Sequence, residues 1–286
     1  HSPFGHAGER GLRKVMEPYG GFDHNIQALR IITEYESHYP DFPGLNLTWE
    51  TLEGTVKHHG KITGKLNPFL QKFNRAFDLD LKHYASLEAQ IAALADDIAY
   101  LNHDIDDGFR AGFYDISDLK ELPFINEIFQ NLEAEHPNID DNIRIYAVTR
   151  GMIAKMIFDI LENSRRNLEK YNIETADDVR RQKNFIITFS DEMHHHIREL
   201  RGFLKKYFYT HTNVARMDMK SQRIVEELFE AFMNDSRLLP MPVRSSLPAS
   251  PSEELLAETI CTYIANMTDM MAIEEHQKLM DVHTRF

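Results

Sequence analysis

Apolar residues recur along this chain mainly at helical spacing, i, i+3, i+4 and i+7, and strand-like alternation is scarce. In FDHNIQALRIITEYESHY the spacing predicts a helix with Ile26, Leu29, Ile32 or Thr33, and Tyr35 on one side. Asp23, just after Gly20 and Gly21, offers a side-chain N-cap for it. TWETLEGTVKHHG predicts a short helix capped by Thr48 and stopped by Gly60. SLEAQIAALADDIAYLNHDIDDGFRAGF predicts a long one. Ser86 caps it, Leu87, Ile91, Leu94, Ile98, Leu101 and Ile105 form its apolar stripe, and Gly108 ends or bends it. Two more long helices are expected over about residues 142–167 and 178–208, with one each in SQRIVEELFEAFMND and EELLAETICTYIANMTDMMAIEEHQKLM. Only NFIITFS invites a strand assignment. RLLPMPVRSSLPASPS, residues 237–252, is the one Pro/Ser-rich connector. The pattern predicts an all-α protein.

Composition narrows the class without naming a chemistry. The chain has 286 residues, enough for one large domain or two lobes. No apolar run approaches the roughly 18 to 20 residues that span a bilayer, so no membrane segment is expected. The single cysteine, Cys261, rules out an internal disulfide and fits a reducing, cytoplasmic setting. A net charge of −13 argues against a surface that coats nucleic acid, while leaving room for a local basic pocket. Fifteen histidines with 45 acidic residues permit metal chemistry and prove none.

Several spacings carry candidate chemistry. Asp96, Tyr100 and Asp104 fall at i, i+4, i+8 on one face of the long helix, beside His103. Asp96 lies in the Ala- and Leu-rich part, AALADDIAY, and is expected to be partly buried, where a carboxylate needs a partner or a metal. The alternative is a solvated acidic face. His6 and Glu9 are at i, i+3, so the carboxylate can orient the imidazole for proton transfer; the alternative is two polar residues near a frayed terminus. His24 sits in a first helical turn, where N–H groups favour an anion; the alternative is a merely solvated histidine, the commoner case for a lone helix-start His. Arg201, Lys205 and Tyr209 share a face suited to a phosphate and a sugar or base, or simply to water. His194, His195 and His196 point about 100° apart and do not converge on one ion.

HSPFGHAGE, FDHNIQALRI, TLEGTVKHHG and EAQIAALADDIAYLNHDIDDG, in this order, resemble the HD-domain deoxyguanosine triphosphate triphosphohydrolases, in particular the bacterial dGTPase-like group. RIVEELFEAFMNDSRLLP and YIANMTDMMAIEEHQKL are similar to that group too, so the resemblance spans essentially the whole chain. It implies an HD-domain helical core over residues 1–115 and a helical C-terminal lobe over 116–286. It implies hydrolysis of deoxynucleoside triphosphates to the deoxynucleoside and triphosphate, with a divalent metal ion (Mg, Mn, Co, Fe, Ni or Zn). In the family a His and a His-Asp doublet upstream of HSPFGH supply metal ligands, so the resemblance implies a missing N-terminal segment. It gives Asp96 as the remaining metal ligand. It gives His6 and Glu9 as the catalytic pair and His1 and His24 as phosphate contacts. Tyr100 and Asp104 become sugar contacts, and Arg201, Lys205 and Tyr209 a distal substrate-contacting face. The chain reads Tyr209-Thr210-His211-Thr212-Asn213-Val214 where the family has Tyr-Arg-His-x-x-Val. Partners implied are the nucleotide and further copies of the chain, hexamers being common in the family.

Two other readings stay open on sequence alone. One is a nucleotide-binding regulatory HD module without turnover; the other is an HD-type phosphodiesterase acting on another phosphate ester.

Overall fold

A computed structural model of the chain describes residues 2–282. The described residues form α-helices and no strand, as the apolar spacing predicts. In chain order the helices are α1 (Gly5–Val15), α2 (His24–Arg30), α3 (Trp49–Lys57), α4 (Pro68–Ala76), α5 (Leu87–Arg110), α6 (Ile116–Leu119) and α7 (Pro123–Glu135). There follow α8 (Asp141–Lys170), α9 (Ala176–Arg180), α10 (Asp191–Leu204), α11 (Thr212–Asn234), α12 (Met241–Ser245), α13 (Glu253–Ala265) and α14 (Asp269–Met280). Two of them continue into π-helical turns, α2 at Ile31–Tyr35 and α10 at Lys205–Tyr209.

The chain divides into two compact units that do not follow chain order. One comprises His1–Val56, Gly64–Leu79 and Arg216–Phe286; the other comprises Lys57–Thr63 and Asp80–Ala215. In the first, Leu12 and Met16 from the N-terminal helix pack with Val225, Leu228, Phe229 and Phe232 of α11 and with Ile260, Cys261 and Ile264 of α13. Glycine permits the close approach of α1. A Cβ on Gly8 would lie 1.8 Å from the Pro3 carbonyl oxygen, and one on Gly11 would lie 3.0 Å from that of Gln222. The chain enters α1 through Phe4 at φ 62° and Gly5 at φ 56°, and the Phe4 N–H is held by Asp269 Oδ1 at 2.8 Å.

In the second unit, Ile98, Leu101 and Ile105 of α5 pack with Ile145, Val148, Met152 and Met156 of α8, with Phe124 to Phe129 of α7, and with Ile197, Leu200 and Leu204 of α10. Ser86 caps α5 through the Ala89 N–H, as expected. Ile91 is an exception to the predicted stripe, being 51% exposed. α5 does not end at Gly108 but runs on to Arg110. At Gly108 the missing side chain makes room for the Tyr114 ring, whose hydroxyl donates to the carbonyls of Asp104 and Ile105.

Other expectations are corrected by local hydrogen bonding. Residues 178–208 are not one helix, and NFIITFS is not a strand. Gln90 Oε1 accepts the N–H groups of Ile186 and Ile187, both at 3.0 Å. Asn167 donates to the Ile186 carbonyl and Asn163 to those of Thr188 and Phe189. Helix-borne amides thus take the place of a neighbouring strand for this backbone. Ser190 then restarts the helix by capping Met193. The expected C-terminal helix is likewise two, because Thr268 caps the Met271 N–H and opens α14 after α13 has closed.

Candidate functional site

In the first unit, α1 places Glu9 at its centre. The carboxylate is buried, and it gathers three partners. His6 Nδ1 lies 3.3 Å from Oε2, His24 Nδ1 lies 2.8 Å from Oε1, and Arg13 Nη2 donates to Oε1 at 2.8 Å. The His6 pair is the i, i+3 contact read from the sequence; His24 reaches the same carboxylate from the start of α2. The two imidazoles meet edge-on, with centroids 6.1 Å apart. Burial by itself would raise the Glu9 pKa, but the hydrogen bonds from His24 and His6 and the charges of His24 and Arg13 outweigh it and hold the carboxyl below its ordinary 4.5.

An ionised carboxylate only accepts hydrogen bonds, so each histidine presents Nδ1–H to Glu9 and keeps Nε2 as its proton-exchanging nitrogen. This fixes tautomer and ring orientation together. At the start of α2, where an anion was expected, the N–H groups are taken up locally. Asp23 already caps Asn25 and Ile26 there, and what orients His24 is Glu9. Arg13 was not singled out by the sequence, although its i, i+4 spacing from Glu9 was available as a signal. His1 lies outside the described residues.

In the second unit, α5 and the end of α10 bring the remaining candidates together. Tyr209 donates to Asp104 Oδ2. Arg201 donates to Asp97 Oδ1 at 3.1 Å, so its partner is Asp97 rather than the neighbouring Asp96. Lys205, which opens the π-helical turn, is exposed, and Tyr100 is 49% exposed. The π-helical turn changes the pitch between Lys205 and Tyr209, which is why a strictly α-helical face is not continued to Tyr209. Burial raises the Asp104 pKa above 3.8, with the Asp107 charge adding to it and the Tyr209 bond opposing it. Burial also raises the Tyr209 hydroxyl, reinforced by its bond to Asp104. The Arg201–Asp97 pair is more than half exposed on both sides. Such pairs contribute at most about 1 kcal/mol, so a phosphate could take Arg201 from Asp97 at little cost.

Asp96 is exposed, against the expectation of partial burial. It stands two residues before Ile98, about 200° around the helix from the buried stripe, so the small alanines beside it leave it in water. Among the described residues no three His, Cys, Asp or Glu side chains form a group that could hold a metal ion. One exposed carboxylate does not make a donor set, and these residues alone do not fit a bound ion. The three consecutive histidines diverge as expected: His194 pairs with Thr188 at 3.1 Å while His196 stacks on Phe124. Among the described residues no helix is long and apolar enough to cross a membrane.

Comparison with known proteins places this helical chain. Residues 187–278 match the family described as the phosphohydrolase-associated domain. A protein of Caulobacter vibrioides named deoxyguanosinetriphosphate triphosphohydrolase-like protein is 43% identical over 98% of this chain and 72% of its own length. Proteins of the same name from Bradyrhizobium sp. (43% identical, 98% of this chain and 72% of the relative) and Parvibaculum lavamentivorans (43%, 99% and 73%) align as extensively. The chain belongs to the deoxyguanosinetriphosphate triphosphohydrolase-like family.

Proposed function

We propose that this protein hydrolyses a deoxynucleoside triphosphate, dGTP or a close analogue, to the deoxynucleoside and inorganic triphosphate. Water attacks the α-phosphorus, the bond from that phosphorus to the 5′ oxygen breaks, and the water oxygen leaves with the triphosphate. The observation that carries the reading is Glu9, buried and ionised, with His6 and His24 both turned on it by Nδ1. His6 is the more exposed of the two rings. It is the group we assign to protonate the departing 5′ oxygen through Nε2, a positioned general acid whose pairing with Glu9 holds it in place. His24, and by family resemblance His1, Arg201 and Lys205, offset charge on the triphosphate. Tyr100 and Asp104 contact the sugar and Tyr209 extends that face.

A divalent ion belongs to the proposal through Asp96 as one ligand, and no step above runs through it. The cytoplasm as the site of action and the division into a catalytic part over residues 1–115 and a helical lobe over 116–286 belong to the same proposal.

Product analysis with Glu9→Gln tests the reading. Wild-type protein supplied with Mg²⁺, Mn²⁺ or Co²⁺ is expected to release triphosphate from dGTP. The variant should lose about 10² to 10⁴ in kcat, the usual range for a general acid. Tight dNTP binding by wild-type protein without any triphosphate release would establish the regulatory reading instead.

A further inference from the structure

Resting on the hydrolase reading above, we infer that Arg13 is a positioning residue for the two imidazoles: its guanidinium pins both Glu9 and the loop that delivers His24. Helix α1 carries three basic residues. Two of them reach across to α11, Arg10 to Asp218 and Lys14 to Glu226, and join helix to helix. Arg13 turns instead onto its own helix. It lies one turn beyond Glu9, at i, i+4, and donates through Nη2 to Glu9 Oε1 at 2.8 Å. Its Nε points to the Phe22 carbonyl at a long 3.5 Å. Phe22 is buried in the core of the same unit, so that carbonyl is a fixed point. The next two residues are Asp23, the N-cap of α2, and His24 itself. Arg13 therefore touches the carboxylate and also the chain two residues before the imidazole that binds it.

The carboxylate needs such a hold because of how its oxygens are shared. Oε2 faces His6 at 3.3 Å, while Oε1 takes both His24 Nδ1 and Arg13 Nη2 at 2.8 Å. A carboxylate oxygen offers about two lone-pair positions, so these donors fill Oε1 and leave Oε2 to His6. The terminal torsion of a glutamate is broad and sets no sharp orientation of its own. Two histidines alone would let the carboxylate plane swing towards either ring. A planar guanidinium, with donors of fixed direction, removes that freedom. The contact also differs from an ordinary surface ion pair. The Arg13 side chain is 59% exposed, but the Glu9 side chain it meets is only 5% exposed. The bond is thus made on a desolvated carboxylate, where hydrogen bonds are stronger than in water. A lysine would supply the charge from one point without the second direction.

Steady-state hydrolysis of dGTP with Mn²⁺ by the purified chain, measured beside the imidazole ¹⁵N resonances, tests this. Arg13→Gln is expected to lower kcat roughly 10- to 100-fold, the cost of a misplaced catalytic group, with KM within about 2-fold of wild type and helical circular dichroism retained. Arg13→Lys, which keeps the charge but not the second contact, should recover only a minor part of that loss. The resonances read the arrangement without turnover. In the wild type, Nδ1 of His6 and of His24, assigned with His6→Gln and His24→Gln, should carry the proton. In Arg13→Gln a share of His24 should shift to the tautomer protonated on Nε2. The two readouts separate the two claims: a wild type that releases no triphosphate removes the hydrolase reading, and the His24 resonances still decide whether Arg13 holds the pair. Unchanged resonances in Arg13→Gln overturn the inference. So does a raised KM at wild-type kcat, which would make Arg13 a substrate contact, or full recovery by Arg13→Lys, since charge alone would then suffice.

Discussion

Glu9 decides the character of the first cluster, because it is a carboxylate kept ionised where burial opposes ionisation. The consequence for stability has a definite sign. A carboxyl whose folded pKa is depressed stabilises the fold above its ordinary value and loses that contribution as pH falls through the folded value. The wild type should therefore lose stability below pH 4.5, and Glu9→Gln should show a flatter acid limb. Near neutral pH, replacing the charge-assisted hydrogen bonds by neutral ones should lower stability by about 1 to 3 kcal/mol, read from denaturant unfolding. Asp104 has the opposite sign. Its pKa is raised, so its ionised form disfavours the folded state at neutral pH. Asp104→Asn should raise Tm at pH 7, and the gain should fade as pH falls from above 3.8 towards 3.8, below which the acid is protonated in folded and unfolded chains alike. Thermal melts across pH check both statements.

At the scale of elements, HSPFGHAGE is a packing device as well as a carrier of chemistry. Pro3 turns its carbonyl over Gly8, and that contact fixes the start of α1, from which His6 and Glu9 project. Gly8→Ala would drive a methyl group into that oxygen, and a loss of about 3 kcal/mol is expected in chemical unfolding. Gln90→Leu should cost a similar amount, because it strands two backbone N–H groups that have no other acceptor in the segment 186–189. These two sites also show what sequence patterning can and cannot carry. The α5 stripe at Ile98, Leu101 and Ile105 and the Asp23 and Ser86 caps are local signals, written within one turn of where they act. The break in residues 178–208 depends on Gln90, Asn163 and Asn167, which are 19 to 97 residues away from the backbone they bind. α7 carries a weaker local signal: it opens on Pro123 without a side-chain cap, although Phe124, Ile125, Ile128 and Phe129 repeat at helical spacing. The His6–Glu9 contact was legible from i, i+3 spacing alone. The convergence of His24 on the same oxygen needs the loop between α1 and α2. The exposure of Asp96 needs only the helical phase, which the alanine-rich context obscured.

For the whole molecule, contact density and motif order divide the chain differently. Residues 216–286 belong to the same compact unit as α1, while α5 belongs with residues 80–215. Sequence motifs are read in chain order, whereas a core is assembled from segments distant in the chain, so the return of α11, α13 and α14 to the N-terminal helix leaves no local trace. Family membership was legible because HSPFGHAGE and EAQIAALADDIAYLNHDIDDG each combine several constrained positions. The chemistry attached to that membership stands or falls on which bond is broken. Hydrolysis of dGTP in ¹⁸O-labelled water, with mass analysis of both products, tests this most directly. Attack at the α-phosphorus with His6 protonating the 5′ oxygen predicts intact triphosphate carrying one label and deoxyguanosine carrying none. Label in the deoxynucleoside, or release of pyrophosphate or orthophosphate in place of triphosphate, would contradict it.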